Sequence, residues 1–188
     1  MPNIHPTKEK IHQAALKLFV EKGVAETTIR DLALNANIAE GTLYRHYTSK
    51  DELVAGLFTS NYKAFAQRLI LIRENQPDFQ NKLQAIINEV CGFYDENPML
   101  FRFLLLIQHQ GLPRVPDNDE NPVYILRNII EKAAQEGDIN TSNPTLTTAM
   151  LLGLLLQTAT FLVYGQLSPP MLAFRDEITA AVWRLLNK

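Results

Sequence analysis

Apolar residues recur at three- and four-residue spacing along most of this 188-residue chain, the period of helices with one buried face. Ile11, Ala14, Ala15, Leu18 and Phe19 make the first such stripe and predict a helix over Thr7–Lys22, with Gly23 as its left-handed stop. Two short helices follow, Ile29–Ala36 and Ala39–Tyr47, joined at Asn37-Ile38. Asn tolerates a left-handed backbone, which a break this short needs. Ser49 opens a longer helix to Glu74 with Glu52 at the capping-box position. Beyond Pro77 the pattern predicts Phe79–Glu96, Met99–Gln110, Val123–Gln135, a long apolar helix from Asn143 or Thr145 to Gly165, and Met171–Leu186. No segment alternates with the period of a strand. The expectation is an all-α chain of about nine helices: a three-helix N-terminal helix-turn-helix domain over 1–48, extending to about 65 with the linking helix, and a helical C-terminal domain over 49–188 for ligand binding and dimerisation.

The two short helices carry the chemistry. In the stretch TTIRDLALNANIAEGTLYRHYTSK, residues 27–50, Ile29, Leu32, Ala33 and Leu43 fall on inward faces. Polar groups occupy the rest. Two helices joined by so tight a turn form the unit that lays its second helix in a DNA major groove. Thr42 and Tyr44 suit phosphate oxygens or a thymine methyl, Arg45 a phosphate or a guanine edge, and His46 a phosphate. Gly41 has no side chain and admits close backbone approach. Thr28, Arg30, Thr42, Tyr44, His46, Tyr47 and Lys50 are expected to fix the register on the DNA backbone, Tyr47 as a partly core residue with its hydroxyl on the DNA, and Glu40, Gly41 and Arg45 to read bases. Thr28 is also placed to cap the first helix.

At these residues the chain resembles the TetR family of bacterial transcriptional regulators. The resemblance rests on Thr27-Thr28-Ile29-Arg30-Asp31-Leu32-Ala33, on Gly41-Thr42-Leu43-Tyr44-Arg45-His46-Tyr47 and on Ser49-Lys50-Asp51-Glu52-Leu53. It departs from the family at Asn37, where a turn glycine is common, and at Ala39, where a capping serine is common. The resemblance implies a homodimer, paired through its last two helices in a four-helix bundle. It also implies binding to a palindromic DNA operator, usually in repression, and release by a small-molecule effector. Cys91, Tyr94, Gln108, Tyr124 and Gln157, with Arg102, His109 and Tyr164, are the polar and aromatic candidates for lining an effector pocket in the helical C-terminal part. For each of them taken alone, a core or surface role outweighs ligand contact.

Charge narrows the picture. The net charge is −2, and residues 1–60 carry seven basic and seven acidic side chains, so DNA binding has to rest on a few placed groups. One cysteine excludes an intramolecular disulfide and a cysteine-cluster metal site, and fits a cytoplasmic protein. The start of the chain, MPNIHPTKEK, reads as free of a secretory signal. AMLLGLLLQTATFLVYG, residues 149–165, approaches the length of a membrane span. Gln157 and the threonines 147, 158 and 160 favour instead a helix buried against its own domain and a second copy. No HExxH, GxSxG, P-loop or CxxC motif occurs, so no enzyme, metal or cofactor is expected. The alternative to a regulator is a helical adaptor that binds another protein through its apolar helices.

Overall fold

A computed structural model describes residues 6–107 and 116–187. Among these residues the chain forms nine α-helices, one 3-10 turn and no strand. The helices are α1 (Pro6–Glu21), α2 (Ile29–Asn35), α3 (Glu40–Tyr44), α4 (Lys50–Asn75), α5 (Phe79–Glu96), α6 (Pro98–Ile107), α7 (Pro122–Glu136), α8 (Pro144–Val163) and α9 (Arg175–Leu186), with the 3-10 turn at Met171–Phe174. The chain divides into two compact units. The first holds residues 6–61 and 99–107, the second 62–98 and 116–187, so α4 begins in one and ends in the other. This division differs from a cut at 48 in two ways. The first unit includes the opening turns of α4, and it takes α6 as well.

The first unit is built on the predicted stripe. Ile11, Ala14, Ala15, Leu18 and Phe19 of α1 are buried with Leu32 and Ala33 of α2, Leu43 of α3, and Leu53, Val54, Leu57 and Phe58 of α4. Phe19 stacks on Phe103 of α6 with ring centroids 6.0 Å apart, and that contact brings α6 into this unit. Gly23 ends α1 with φ +88°, and Asn37 turns the chain between α2 and α3 with φ +53°. Helix α1 begins one residue before Thr7, which therefore lies inside it.

In the second unit the predicted faces of α5, α7, α8 and α9 form the core, through Leu83, Ile86 and Ile87, Ile125 and Ile130, Leu151 and Leu155, and Val182. Side chains start three of these helices: Asp78 caps α5, Asn121 caps α7 and Asn143 caps α8. The last helix starts later than Met171. The Asp95 carboxylate accepts from the N–H groups of Met171 and Leu172 at 2.6 and 2.9 Å, and the first turn there is 3-10. Helix α8 is, among the described residues, the one helix long and apolar enough to cross a membrane. One face of it is buried through Thr147, Thr148, Leu151, Leu155, Ala159 and Leu162. The opposite face leaves Leu146, Met150 and Phe161 about half exposed.

Candidate nucleic-acid interface

Helix α2 starts with a complete capping box. The Thr28 hydroxyl accepts from the Asp31 N–H, and the Asp31 carboxylate accepts from the Thr28 N–H, both at 3.1 Å. These bonds hold the Asp31 carboxyl below its ordinary range. Behind it, Thr27 is fully buried, and its hydroxyl donates to the Gly23 carbonyl at 2.7 Å. The turn that sets the angle of α2 is thus bonded to the end of α1.

Helix α3 has only five residues, and Ala39 gives it no side-chain cap. It ends at Tyr44 rather than continuing to Tyr47. The His46 N–H bonds back three residues to Leu43, at 2.9 Å, so the chain tightens into a turn. A helix this short cannot persist alone. Leu43, completely buried, anchors it.

With Leu43 inward, the remaining faces present the expected side chains. Arg30, Glu40, Gly41, Tyr44 and Arg45 are exposed; Thr42 and His46 are half-buried; Thr28 is exposed beside them at the start of α2. A Cβ added at Gly41 would meet nothing within 4 Å, so the space beside α3 is open to an approaching surface.

Two of the expected contact residues are engaged elsewhere. Tyr47 is buried to 6 % exposure, and its hydroxyl lies 2.5 Å from His12 Nε2. Burial, with help from Glu52, pushes this phenol up to about 12. Burial and the nearby Lys8 charge lower the His12 pKa, and the tautomer of the ring sets which of the two groups donates. The Lys8 ammonium lies 5.6 Å from the centre of the Tyr47 ring. Tyr47, just past the end of α3, therefore ties the following turn to α1 as a core residue. Lys50 turns away from the α3 face: its ammonium donates to the carbonyls of Val24, Ala25 and Thr27.

The capping box expected at Ser49 is also rearranged. The Ser49 hydroxyl accepts from the Glu52 N–H at 3.0 Å, but the Glu52 carboxylate reaches one residue further back. It takes both the hydroxyl and the N–H of Thr48, and these bonds lower its pKa.

The described pocket candidates lie on α5, α6, α7 and α8 or just after it. Cys91 and Tyr94 are buried on α5, and burial pushes the Cys91 thiol up to about 11. Tyr124 is half-buried with the Arg127 guanidinium 5.4 Å from its ring centre. Gln157 and Tyr164 are exposed on and after α8, and Arg102 of α6 is half-buried. Gln108 and His109 lie outside the described residues. None of the described candidates lines the groove of about 500 Å³ between the α4–α5 turn and α7. That groove has Phe79, Ile129 and Ala133 in its walls, with Lys82 and Lys132 among its cations and Asp78, Glu136 and Asp138 as its acids. A second, shallow apolar groove of about 470 Å³ runs along Met150, Gly153, Leu154, Ala181, Arg184 and Leu185 of α8 and α9.

Residues 11–57 match the model of the family described as bacterial regulatory proteins, tetR family. The chain is 29 % identical over 151 residues to nucleoid occlusion factor SlmA of Escherichia coli O81, across 77 % of this chain and 76 % of that protein. A tetR-family regulatory protein from Rhodococcus RHA1 superposes with a TM-score of 0.81 at 16 % identity, covering 98 % of both chains. The transcriptional regulator FadR of Bacillus subtilis, solved with stearoyl-CoA, superposes with a TM-score of 0.76 at 19 % identity, covering 93 % of this chain and 96 % of that one. These two likenesses are likenesses of fold.

Proposed function

We propose that this chain, whose residues 11–57 match the tetR family of bacterial regulatory proteins, is a transcriptional regulator. In this reading it binds duplex DNA in the cytoplasm as a homodimer, on an operator with two-fold symmetry. The observation that carries the reading is the outer face of α2 and α3, where Arg30, Tyr44 and Arg45 stand exposed around an uncrowded Gly41. Thr28, Thr42, His46 and the α3 backbone would position the protein on phosphates; Glu40 and Arg45 would meet base edges. Net charge gives no general attraction to DNA, so specificity has to come from these groups and from the spacing of two copies.

The copies would pair through α8 and α9, whose outward residues Leu146, Met150, Leu154 and Phe161 form an apolar surface with the small Ala149 and Gly153 among them. A small molecule bound within the second unit would alter the spacing of the recognition helices through α4, and so relieve repression. It needs only to prefer the geometry that does not fit the operator. Purified protein should shift DNA from upstream of its own gene and run in light scattering at twice its 21.3 kDa chain mass. A protein of single mass, with no sequence-preferring DNA binding at moderate salt, would favour the helical adaptor instead.

The similarity to nucleoid occlusion factor SlmA supports a second reading, in which the DNA sites serve nucleoid occlusion. A map of chromosomal sites separates the two. Sites concentrated at promoters support the regulator; sites spread over the chromosome without promoter bias support nucleoid occlusion.

A further inference from the structure

Lys50 is the first residue of α4, a poor place for a cation, because the helix dipole there favours negative charge. Asp51 and Glu52 beside it fit that preference. The Lys50 ammonium is turned instead onto the connection between α1 and α2. It donates to the carbonyl oxygens of Val24 at 2.6 Å, Thr27 at 2.8 Å and Ala25 at 3.2 Å. An ammonium has three N–H donors, so three carbonyls use all of them, and none remains for a phosphate. The same turn is held from its other side by the Thr27 hydroxyl on Gly23, and α2 begins at its end with the Thr28 capping box. We infer that Lys50 is a positioning residue, a bolt that makes the start of α2 move with the first turn of α4, and not a DNA contact. The inference deepens the regulator reading and rests on it for its effect on DNA. The bolt itself lies within the first unit and exists whether or not DNA is bound.

The consequence is directional. A displacement of the α4 start passes through Lys50 to the 24–27 turn, then to α2, and through the Asn37 turn to α3. Arg is the informative replacement. On a phosphate, a guanidinium serves as well as an ammonium or better. Its planar fork of N–H groups does not converge on three carbonyls around one point.

The experiment compares full-length wild type with Lys50→Met and Lys50→Arg. Binding is measured against salt on the duplex that wild type enriches from a random pool. Amide exchange at Thr27 and Thr28 is measured without DNA. The bolt predicts faster exchange at both amides in both variants, and affinity roughly tenfold lower, about the loss of one charge-assisted hydrogen bond. It also predicts a salt slope equal to that of wild type. A variant that fails to fold also supports the bolt, since loss of a phosphate contact leaves folding intact. The inference is overturned if exchange is unchanged, Lys50→Arg binds like wild type, and the Lys50→Met salt slope falls by about 0.9 per subunit, the mark of one lost phosphate contact. If wild type enriches no duplex, the regulator reading fails, and the exchange measurement alone decides on the bolt.

Discussion

Helices α3 and α8 solve opposite problems. Helix α3 is five residues long and uncapped, and it buries a single side chain, Leu43. Its outward groups, Thr42, Tyr44 and Arg45, are left for something outside the chain. Helix α8 is twenty residues long and capped by Asn143, and it returns its polar groups to itself. The hydroxyls of Thr148, Thr158 and Thr160 donate to the carbonyls four residues back, at 2.7 to 2.8 Å. Those threonines add no free hydroxyl to α8, whose outward face carries Leu146, Met150 and Phe161 with Gln157 as an exposed polar group. A helix that cannot hold itself is fixed by its neighbours and offers polar chemistry. A self-sufficient one offers a largely apolar surface suited to another helix.

The largest expected effect tests the anchor. Leu43→Ala should destabilise the first unit by roughly 2–5 kcal/mol, the usual range for a buried leucine in a core that cannot close over the gap. Urea titration followed by Tyr fluorescence would measure it, and a loss under ~0.5 kcal/mol would mean that α3 holds itself. Next come the outward groups. Arg45→Ala and Tyr44→Ala should each weaken DNA binding about tenfold, leaving the urea midpoint unchanged. A shifted midpoint would make them packing residues, contrary to the contrast drawn with Leu43.

The contrast also shows what was readable beforehand. Exposure at Arg30, Glu40, Tyr44 and Arg45 follows from helical spacing once Leu32 and Leu43 are turned inward. The left-handed turns at Gly23 and Asn37 follow from residue type. The partners of Tyr47 and Lys50 were not legible, for a shared reason. Their motif positions sit next to the recognition helix, but their partners, His12 and the 24–27 carbonyls, come from chain segments whose approach no local pattern encodes. The Phe19–Phe103 stacking that draws α6 into the first unit is of the same kind. The pocket candidates were chosen for being polar in apolar helices. That criterion does not separate a buried Tyr94 from an exposed Gln157.

Smaller effects sharpen the picture of how the first unit is held. Thr28→Ala should cost about 1 kcal/mol, the usual loss for an N-cap. It should also flatten the acid limb of the stability curve. The folded pKa of Asp31 is depressed by its Thr28 bonds. Its contribution is therefore present above the unfolded value of 3.8 and is lost as pH falls through the lower folded value. His12 has the same sign for a different reason. Its folded pKa is lowered by burial and Lys8, so protonation favours the unfolded chain. Stability is full above the ordinary histidine value of 6.5 and declines as pH falls from there through the folded pKa. His12→Gln keeps a group able to bond the Tyr47 hydroxyl, and should remove that decline in urea titrations between pH 7 and pH 5. The smallest effect belongs to α8. Thr158→Val should change stability by less than ~0.5 kcal/mol, because the hydroxyl only serves its own backbone. Thr42→Val in α3 should reduce DNA binding.

The central claim, that the outer face of α2 and α3 recognises DNA by sequence, is tested most directly by selection. Wild-type protein and the Tyr44→Ala/Arg45→Ala double variant, both shown folded by their urea midpoints, are each used to retain duplexes from a random pool. The account predicts that wild type enriches sequences with two half-sites related by a dyad and spaced by about one helical turn, and that the double variant enriches none. Equal enrichment by the two proteins, or no enriched sequence with wild type, would contradict it.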